Sequence, residues 1–394
     1  MTQTRNGSGL GRISVLASTD VHDPLAGSGT PYALFTELTR RGLIGPTINV
    51  ELPRVRRRMV LATATAALVA SDATVARHIR DESFQGQLHN SDIVLRALSR
   101  RASKLLGQLT DRPDLILQYG STFTSIDAIP FATYEDMTVV QAARVPQWPQ
   151  AHMSRVTLRR RIRYQREVYE RALACFTTTR WARESIVTDY GIPDHKVVVV
   201  GVGRNHHPRV TTRDWSRPRF LFIGRDWERK NGPMLLRAMA ELRREHPDAE
   251  LNVVGCAPVG VEQSGVTFHG SLPLSDPEAT RRLEALLESS TCFVLPSVHE
   301  PSAISYVEAM SAGLPVIGTA AGGSADLIGD AGVVVEPSSQ VALLEALRMM
   351  TQRSHAERFA QCAVQRAQSY TWKGVVDRML AALDGRYAVR AAET

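Results

Sequence analysis

The chain has 394 residues, 43% hydrophobic and 22% charged, which is enough for two globular domains with cores of their own and too balanced for disorder. Its four cysteines, Cys175, Cys256, Cys292 and Cys362, form no CxxC or Cys/His cluster, which argues against a disulfide framework and a structural zinc site and fits a reducing cytoplasm. The net charge of +7 rests almost wholly on arginine, since lysine occurs only at Lys104, Lys196, Lys230 and Lys373; it suits anionic partners without choosing among nucleic acid, membrane surface and phosphorylated small molecules.

No basic segment followed by an apolar core marks the N-terminus, so no secretory signal is expected. Residues 12–18 are the first strand candidate, followed by a loop from Asp20 to Thr30 and a helix that starts at Thr30-Pro31 and ends near Gly42. The weakly polar stretch 59–70 is shorter than the roughly 20 residues that span a bilayer and reads as a buried helix. Short apolar runs at 114–119, 129–134, 174–178 and 196–201 alternate with helical stretches, the pattern of a parallel sheet covered on both faces. A polar segment without periodicity, 205–218, marks a domain boundary.

Beyond it the pattern restarts. Strands at 219–224, 250–255, 265–269, 291–296, 314–318 and 332–336 alternate with helices near 231–246, 278–289, 303–312 and 338–352, a second doubly wound α/β domain. Helical sequence from Trp372 to Ala388 is placed to pack back on the first half. The expected domains are therefore 1–205, joined by 370–394, and 206–369. Two such domains bind ligands at the carboxyl ends of their strands, in a cleft between them.

Two segments of the second half carry chemistry. In Gly224-Arg225-Asp226-Trp227-Glu228-Arg229-Lys230-Asn231-Gly232 a strand end meets a helix start, and Arg225 and Lys230 flank the turn. Two cations and a helix dipole can neutralise a diphosphate without a metal; in an isolated turn, Arg225, Arg229 and Lys230 are better read as solvated turn charges. In the segment 295–317, Glu300 sits in a loop, a helix starts near Ser302 or Ala303, and Glu308 lies in its first turns among Tyr306, Val307, Ala309 and Met310. A carboxylate in so apolar a helix needs a partner. The eight-residue step from Glu300 to Glu308 is roughly 12 Å at helical rise, comparable to the sugar-to-ribose distance in a nucleotide sugar. The free N–H groups near Ile304 and Ser305 would meet the diphosphate.

These motifs resemble those of the GT-B glycosyltransferases of glycosyltransferase family 4. The resemblance rests on Gly224-Arg225 with Lys230, on two glutamates separated by seven residues, on Glu308-Ala-Met continued through Gly313, Pro315 and Val316, and on Gly322-Gly323, and it covers most of 219–336. It implies two Rossmann-like domains, the first binding an acceptor and the second a nucleotide-diphosphate sugar. It further implies metal-independent transfer of the sugar, hexosyl in type, to an acceptor hydroxyl with retained configuration and no cofactor. Arg225 and Lys230 would hold the diphosphate, Glu308 the ribose and Glu300 the sugar, with Gly255 and the segment of Phe268 on the nucleobase side. The sequence departs from the family at Asn231, which stands between Lys230 and Gly232, and at Pro301-Ser302-Ala303, which replaces a glycine-rich stretch. Where the family often carries a cleft histidine this chain has Tyr134-Glu135-Asp136, and Asp136 is the candidate for acceptor or sugar hydroxyls.

In the first half, Gly29 and Thr30 at a helix start could bring backbone amides close to donor phosphate or acceptor, or simply form a tight turn. His22-Asp23 without a serine or cysteine partner reads as a cap or turn. The basic segments 54–58 and 155–166 are solvated helical faces, or a peripheral contact with a membrane that carries a lipid-linked acceptor; glycans and small molecules are the other acceptor classes. No nucleic-acid-binding motif is present, and no Asp-x-Asp metal motif. A same-fold epimerase or hydrolase, and a catalytically silent sugar-nucleotide or glycan-binding protein, are the competing functions.

Overall fold

The computed structural model describes residues 11–71, 82–124, 129–205, 208, 212–256, 258–273 and 275–393, with the backbone alone at 71, 82–83 and 385–393. Residues 206–207 and 209–211 of the expected linker lie outside them. The chain divides into two compact units, Met1–Gly201 with Val375–Thr394, and Val202–Gly374.

The first unit holds six parallel strands, β1 (Ile13–Ala17), β2 (Ile48–Asn49), β3 (Leu115–Tyr119), β4 (Phe131–Glu135), β5 (Ala174–Thr177) and β6 (Val197–Val199), in the order β2-β1-β3-β4-β5-β6. Helices cover it: α1 (Thr30–Arg40), α2 (Arg54–Ser71), α3 (Glu82–His89), α4 (Asp92–Gly107), α5 (Val139–Ala143), α6 (Arg155–Arg171) and α7 (Arg180–Thr188). β1, β4 and β5 are buried along their whole length, which is why they read as unbroken apolar runs.

Two expectations for this unit change. The stretch 59–70 is helical, but of it only Ala64 is fully buried, while Met59 is 66% exposed. Ala and Thr at most positions give the helix no wide apolar stripe to bury. The basic helix α6 is not wholly solvated either, because Arg161 is enclosed at 3% exposure.

The second unit repeats the architecture. β7 (Arg219–Ile223), β8 (Glu250–Val254), β9 (Val266–Phe268), β10 (Cys292–Val294), β11 (Val316–Thr319) and β12 (Gly332–Val335) are parallel in the order β12-β11-β10-β7-β8-β9. The helices are α8 (Gly232–Glu245), α9 (Pro277–Ser289), α10 (Ile304–Ser311), α11 (Ser324–Ile328), α12 (Gln340–Thr351) and α13 (Arg353–Ala367). The last helix, α14 (Trp372–Glu393), joins the first unit from Val375 on, where Arg378 Nε donates to Val200 O (2.7 Å) and Asp377 pairs with Arg41 (2.8 Å). No described helix is long and apolar enough to cross a membrane.

Each sheet winds outward from an inner strand and then returns to that strand's other side. The direction reverses between β1 and β3 in the first unit and between β7 and β10 in the second. At such switch points the two adjoining loops diverge and leave a crevice at the strands' carboxyl ends.

Arginine holds several loops by saturating carbonyl groups. Arg213 donates to Leu287 O and Glu288 O (both 3.0 Å), to Ser290 O and to Ala312 O (2.7 Å), so one guanidinium closes the C-termini of both α9 and α10. Burial holds its pKa down to about 10. Arg213→Ala strands these four carbonyls, and an equilibrium urea titration should show the second unit destabilised by about 2–3 kcal/mol. Arg213→Lys, a single point donor, should recover less than half of that.

Candidate functional site

The second switch point is lined by the loops that follow β7 and β10, and the sequence shapes both. After Gly224 the chain turns on Asp226, whose carboxylate accepts from Arg229 N (3.1 Å) and whose carbonyl accepts from Lys230 N (2.9 Å). Asn231 then adopts a left-handed conformation (φ 61°), which asparagine tolerates, and its side-chain amide donates to Pro296 O (3.2 Å) and Pro337 O (2.8 Å). Asn231 thus ties the loop after β7 to those after β10 and β12. Gly232 has no need of a special φ; it is glycine because the Trp227 indole lies against it, where any Cβ would overlap the ring. Trp227 is in turn held edge-to-face by Phe222 and Phe268, at 5.5 and 5.8 Å between ring centres.

On the other side, Glu300 is fixed by its backbone. Its N–H donates to Ala321 O (3.0 Å) and its carbonyl accepts from Gly323 N (3.0 Å), a short parallel bridge opposite Gly322. Gly322 has φ 105° and sits so close to the Glu300 carbonyl that no side chain fits.

The two loops meet through charge. Lys230 Nζ donates to Glu300 Oε2, which also accepts from Ser297 Oγ (3.3 Å) and lies 3.7 Å from Arg229 Nη1. Lys230 is 9% exposed and Glu300 6%. Burial pushes the Lys230 pKa down while Glu300 opposes it. The neighbouring His299 is also buried, which lowers its pKa and favours the neutral imidazole. Val298 N adds a backbone bond to Arg229 O (2.9 Å).

Beside this pair starts α10, with Ala303 as its N-cap and no side chain capping it. Ala303 has φ −69°, so alanine fits where the family carries glycine. Tyr306, Val307, Ala309 and Met310 are fully buried; Ile304, Ser305 and Glu308 are half-buried, and Ile304 and Glu308 share one helical face. Gly255 has φ 95°, and a Cβ there would lie 2.6 Å from Gly224 O. The structure therefore brings Lys230 and Glu300 into contact, ties Phe268 to the same loop through Trp227, and leaves Arg225 exposed. Arg229 and Ser297 belong to the cluster although the sequence marked Arg229 as no more than a turn charge.

In the first unit, Gly27, Ser28 and Gly29 are three successive left-handed residues (φ 54°, 55° and 78°) ahead of α1. Of the amides here, Thr30 N–H donates to Gly27 O, and Pro31 has none. The Thr30 side chain hydrogen-bonds Tyr119. Asp136 is exposed at the end of β4, next to a buried polar network. There Glu135 Oε2 accepts from Tyr169 OH (2.8 Å) and Gln165 Nε2 (3.1 Å), while Ser121 Oγ accepts from Gln165 Nε2 (2.6 Å) and Arg161 Nη2 (3.4 Å).

With this geometry in view, comparison with known proteins is informative. Residues 217–353 match the family model described as glycosyl transferases group 1. That stretch is therefore similar to a group 1 glycosyltransferase domain. A D-inositol 3-phosphate glycosyltransferase of Corynebacterium aurimucosum is 26% identical over 245 residues, 56% of this chain and 58% of the relative. An MMP alpha-(1->4)-mannosyltransferase of Mycolicibacterium hassiacum is 26% identical over 59% of this chain and 58% of its own. The chain thus spans a little over half the length of these curated relatives. Among solved structures, a sucrose-phosphate synthase of Thermosynechococcus elongatus superposes with a TM-score of 0.67 at 17% identity, covering 96% of this chain and all of that one. The fold is thus GT-B, with two parallel six-stranded sheets.

Burial raises the Glu135 pKa to about 7, from 4.5, against the hydrogen bonds of Tyr169 and Ser121 and the charge of Arg161. Between those values the folded chain holds a proton that the unfolded chain has released, so stability falls as pH rises through the window and levels off above about 7. Full titration is worth about 3 kcal/mol. Thermal unfolding followed from pH 5 to 8 should show this slope in the native chain and lose most of it in Glu135→Gln.

Proposed function

We propose that the chain transfers a sugar, hexosyl in type, from a nucleotide-diphosphate donor to an acceptor hydroxyl, with retention of configuration and without a metal ion. The observation that carries this reading is the buried Lys230–Glu300 pair at the second switch point, beside the uncapped start of α10. In this reading the donor diphosphate lies against the α10 amides near Ile304 and Ser305, where the helix dipole favours negative charge. Lys230 and the exposed Arg225 supply the remaining countercharge, so no divalent cation is required. Glu308, half-buried on the exposed face of α10, takes the ribose diol, and Glu300 takes a sugar hydroxyl near the anomeric carbon.

A diphosphate competes with Glu300 for the Lys230 ammonium. As the donor enters, Glu300 is released towards the sugar while Ser297 and Arg229 hold its other contacts. The departing phosphate, on the same face as the incoming hydroxyl, accepts the acceptor's proton; this is the source of retention. Gly255 and the Phe268 segment lie on the nucleobase side. Asp136 and Thr30 serve the acceptor, and Gly29 lies on the donor side. The exposed Val55, Met59 and Val156, each beside arginines of α2 or α6, support a peripheral membrane contact as a further part of this proposal.

A thermal-shift screen of UDP-, GDP-, ADP- and TDP-sugars identifies the donor, because a ligand bound only by the native state raises the melting point. With that donor, Lys230→Ala and Glu300→Gln should each lower kcat by about 100-fold or more. Activity should persist in EDTA. Unchanged transfer by both variants would falsify the reading, and nucleotide-sugar turnover that is faster without acceptor would make the chain a hydrolase.

A further inference from the structure

The basic helix α6 encloses one cation that no carboxylate touches. Arg161 is 3% exposed; its Nε donates to Asn90 Oδ1 (3.2 Å) and its Nη2 to Ser121 Oγ (3.4 Å), both neutral acceptors, and its Nη1 has no protein partner. None of the three nitrogens bonds a carboxylate among the described residues. An enclosed guanidinium stays charged and needs compensation. The acid that shares its enclosure is Glu135, 7% exposed at the end of β4.

The surrounding donors decide which Glu135 oxygen can carry a proton. Gln165 Oε1 accepts from Val139 N (2.9 Å) and Tyr190 OH, so its amide nitrogen points at Ser121 Oγ (2.6 Å) and Glu135 Oε2 (3.1 Å). Tyr169 OH (2.8 Å) is a second donor to Oε2, and the two occupy its lone pairs. The proton of neutral Glu135 therefore sits on Oε1, which has no protein partner. Ser121 cannot accept from it: its oxygen already accepts from Gln165 and Arg161, so its hydroxyl can only donate.

The two protonation states make different demands. Ionised, Glu135 offers an acceptor to match the Arg161 donor, and one bridging water completes the pair. Protonated, Oε1–H and Nη1–H are two donors without an acceptor, beside a positive charge without a counter-charge. The other ionisable groups that face these two leave this balance alone. Burial raises the pKa of Tyr119, Tyr164, Tyr169 and Tyr190 and keeps them neutral, and Asp136 lies exposed at the strand end.

We propose that Arg161 and protonated Glu135 together bind a small monovalent anion of chloride size, so that the anion and a proton enter the first unit as a pair. The enclosure of both side chains excludes a larger ligand, and the low-dielectric setting strengthens the charge-assisted bond from Nη1. The site is independent of the nucleotide-sugar reading.

The test follows thermal stability of the full chain in sodium chloride against sodium gluconate at equal ionic strength, which cancels general screening. Glu135 titrates at about 7, so the apparent chloride affinity should fall about 10-fold from pH 6 to pH 8 along with the protonated fraction. Glu135→Gln is the decisive variant. Its amide oxygen takes the place of Oε2 and its NH2 that of Oε1, a permanent donor, so its chloride affinity at pH 8 should match that at pH 6 within about twofold. Arg161→Met should lose the response at both pH values; because glutamine keeps the shape of the site, the Glu135→Gln result stands whether or not Arg161→Met folds. A chloride response that is missing at pH 6, equal at the two pH values in the native chain, still pH-dependent in Glu135→Gln, or retained by a folded Arg161→Met overturns the inference.

Discussion

The ion pair between Lys230 and Glu300 is the contact on which the second unit's functional end depends. Neither loop that carries these residues has regular structure of its own, and each is placed by what it does for the other. Removing two charges from water costs several kcal/mol per ion, and a buried pair holds only when its remaining hydrogen-bonding capacity is filled. Ser297 and Arg229 fill it on the carboxylate side, and Asn231 and the Val298 bond to Arg229 fix the backbones that bring the partners together. The same low-dielectric setting that makes the pair expensive to break makes Lys230 a strong site for any competing anion.

The strands were legible because a parallel sheet buried on both faces leaves apolar runs four to six residues long. The elements that escaped are those with weaker patterns. β2 is two residues long and has no run to see. α13 buries Ala356, Ala360, Ala363 and Ala367, a helical stripe built from the smallest apolar side chain, which a search for large hydrophobics passes over. α2 was over-read for the opposite reason, since its Ala and Thr residues are compatible with burial without requiring it. Side-chain direction was the other limit. Residue types and spacing could single out Lys230 and Glu300, but not that they touch, nor that Arg229 turns inward while Arg225 stays outside. The role of Gly232 was invisible because it depends on Trp227, which contacts it across a turn rather than at any helical or strand period.

Charge shows the same division between what a sequence counts and what a fold does with it. An arginine-rich composition suggests anionic partners, yet Arg213, Arg366 and Arg378 are occupied with backbone carbonyls at helix and strand ends. These groups are structural fasteners. In the loop after β7 the arrangement differs, because Arg229 and Lys230 face the Glu300 carboxylate and no backbone carbonyl of the described residues saturates Lys230 Nζ.

Asn231 and Gly232 also form an Asn-Gly dipeptide, the sequence most prone to spontaneous deamidation through a cyclic imide. Ring closure needs the glycine nitrogen free to attack the side-chain amide. Here that nitrogen donates to Trp227 O (2.9 Å) and the amide is held by Pro296 and Pro337, so the native turn protects its own weakest bond. Whenever the turn opens, the protection lapses. The products, aspartate or isoaspartate, would place a new carboxylate beside Lys230, and isoaspartate would lengthen the backbone at the start of α8. The chemical ageing of this protein is therefore tied to the opening rate of one turn, and damage there strikes the site before it strikes the fold.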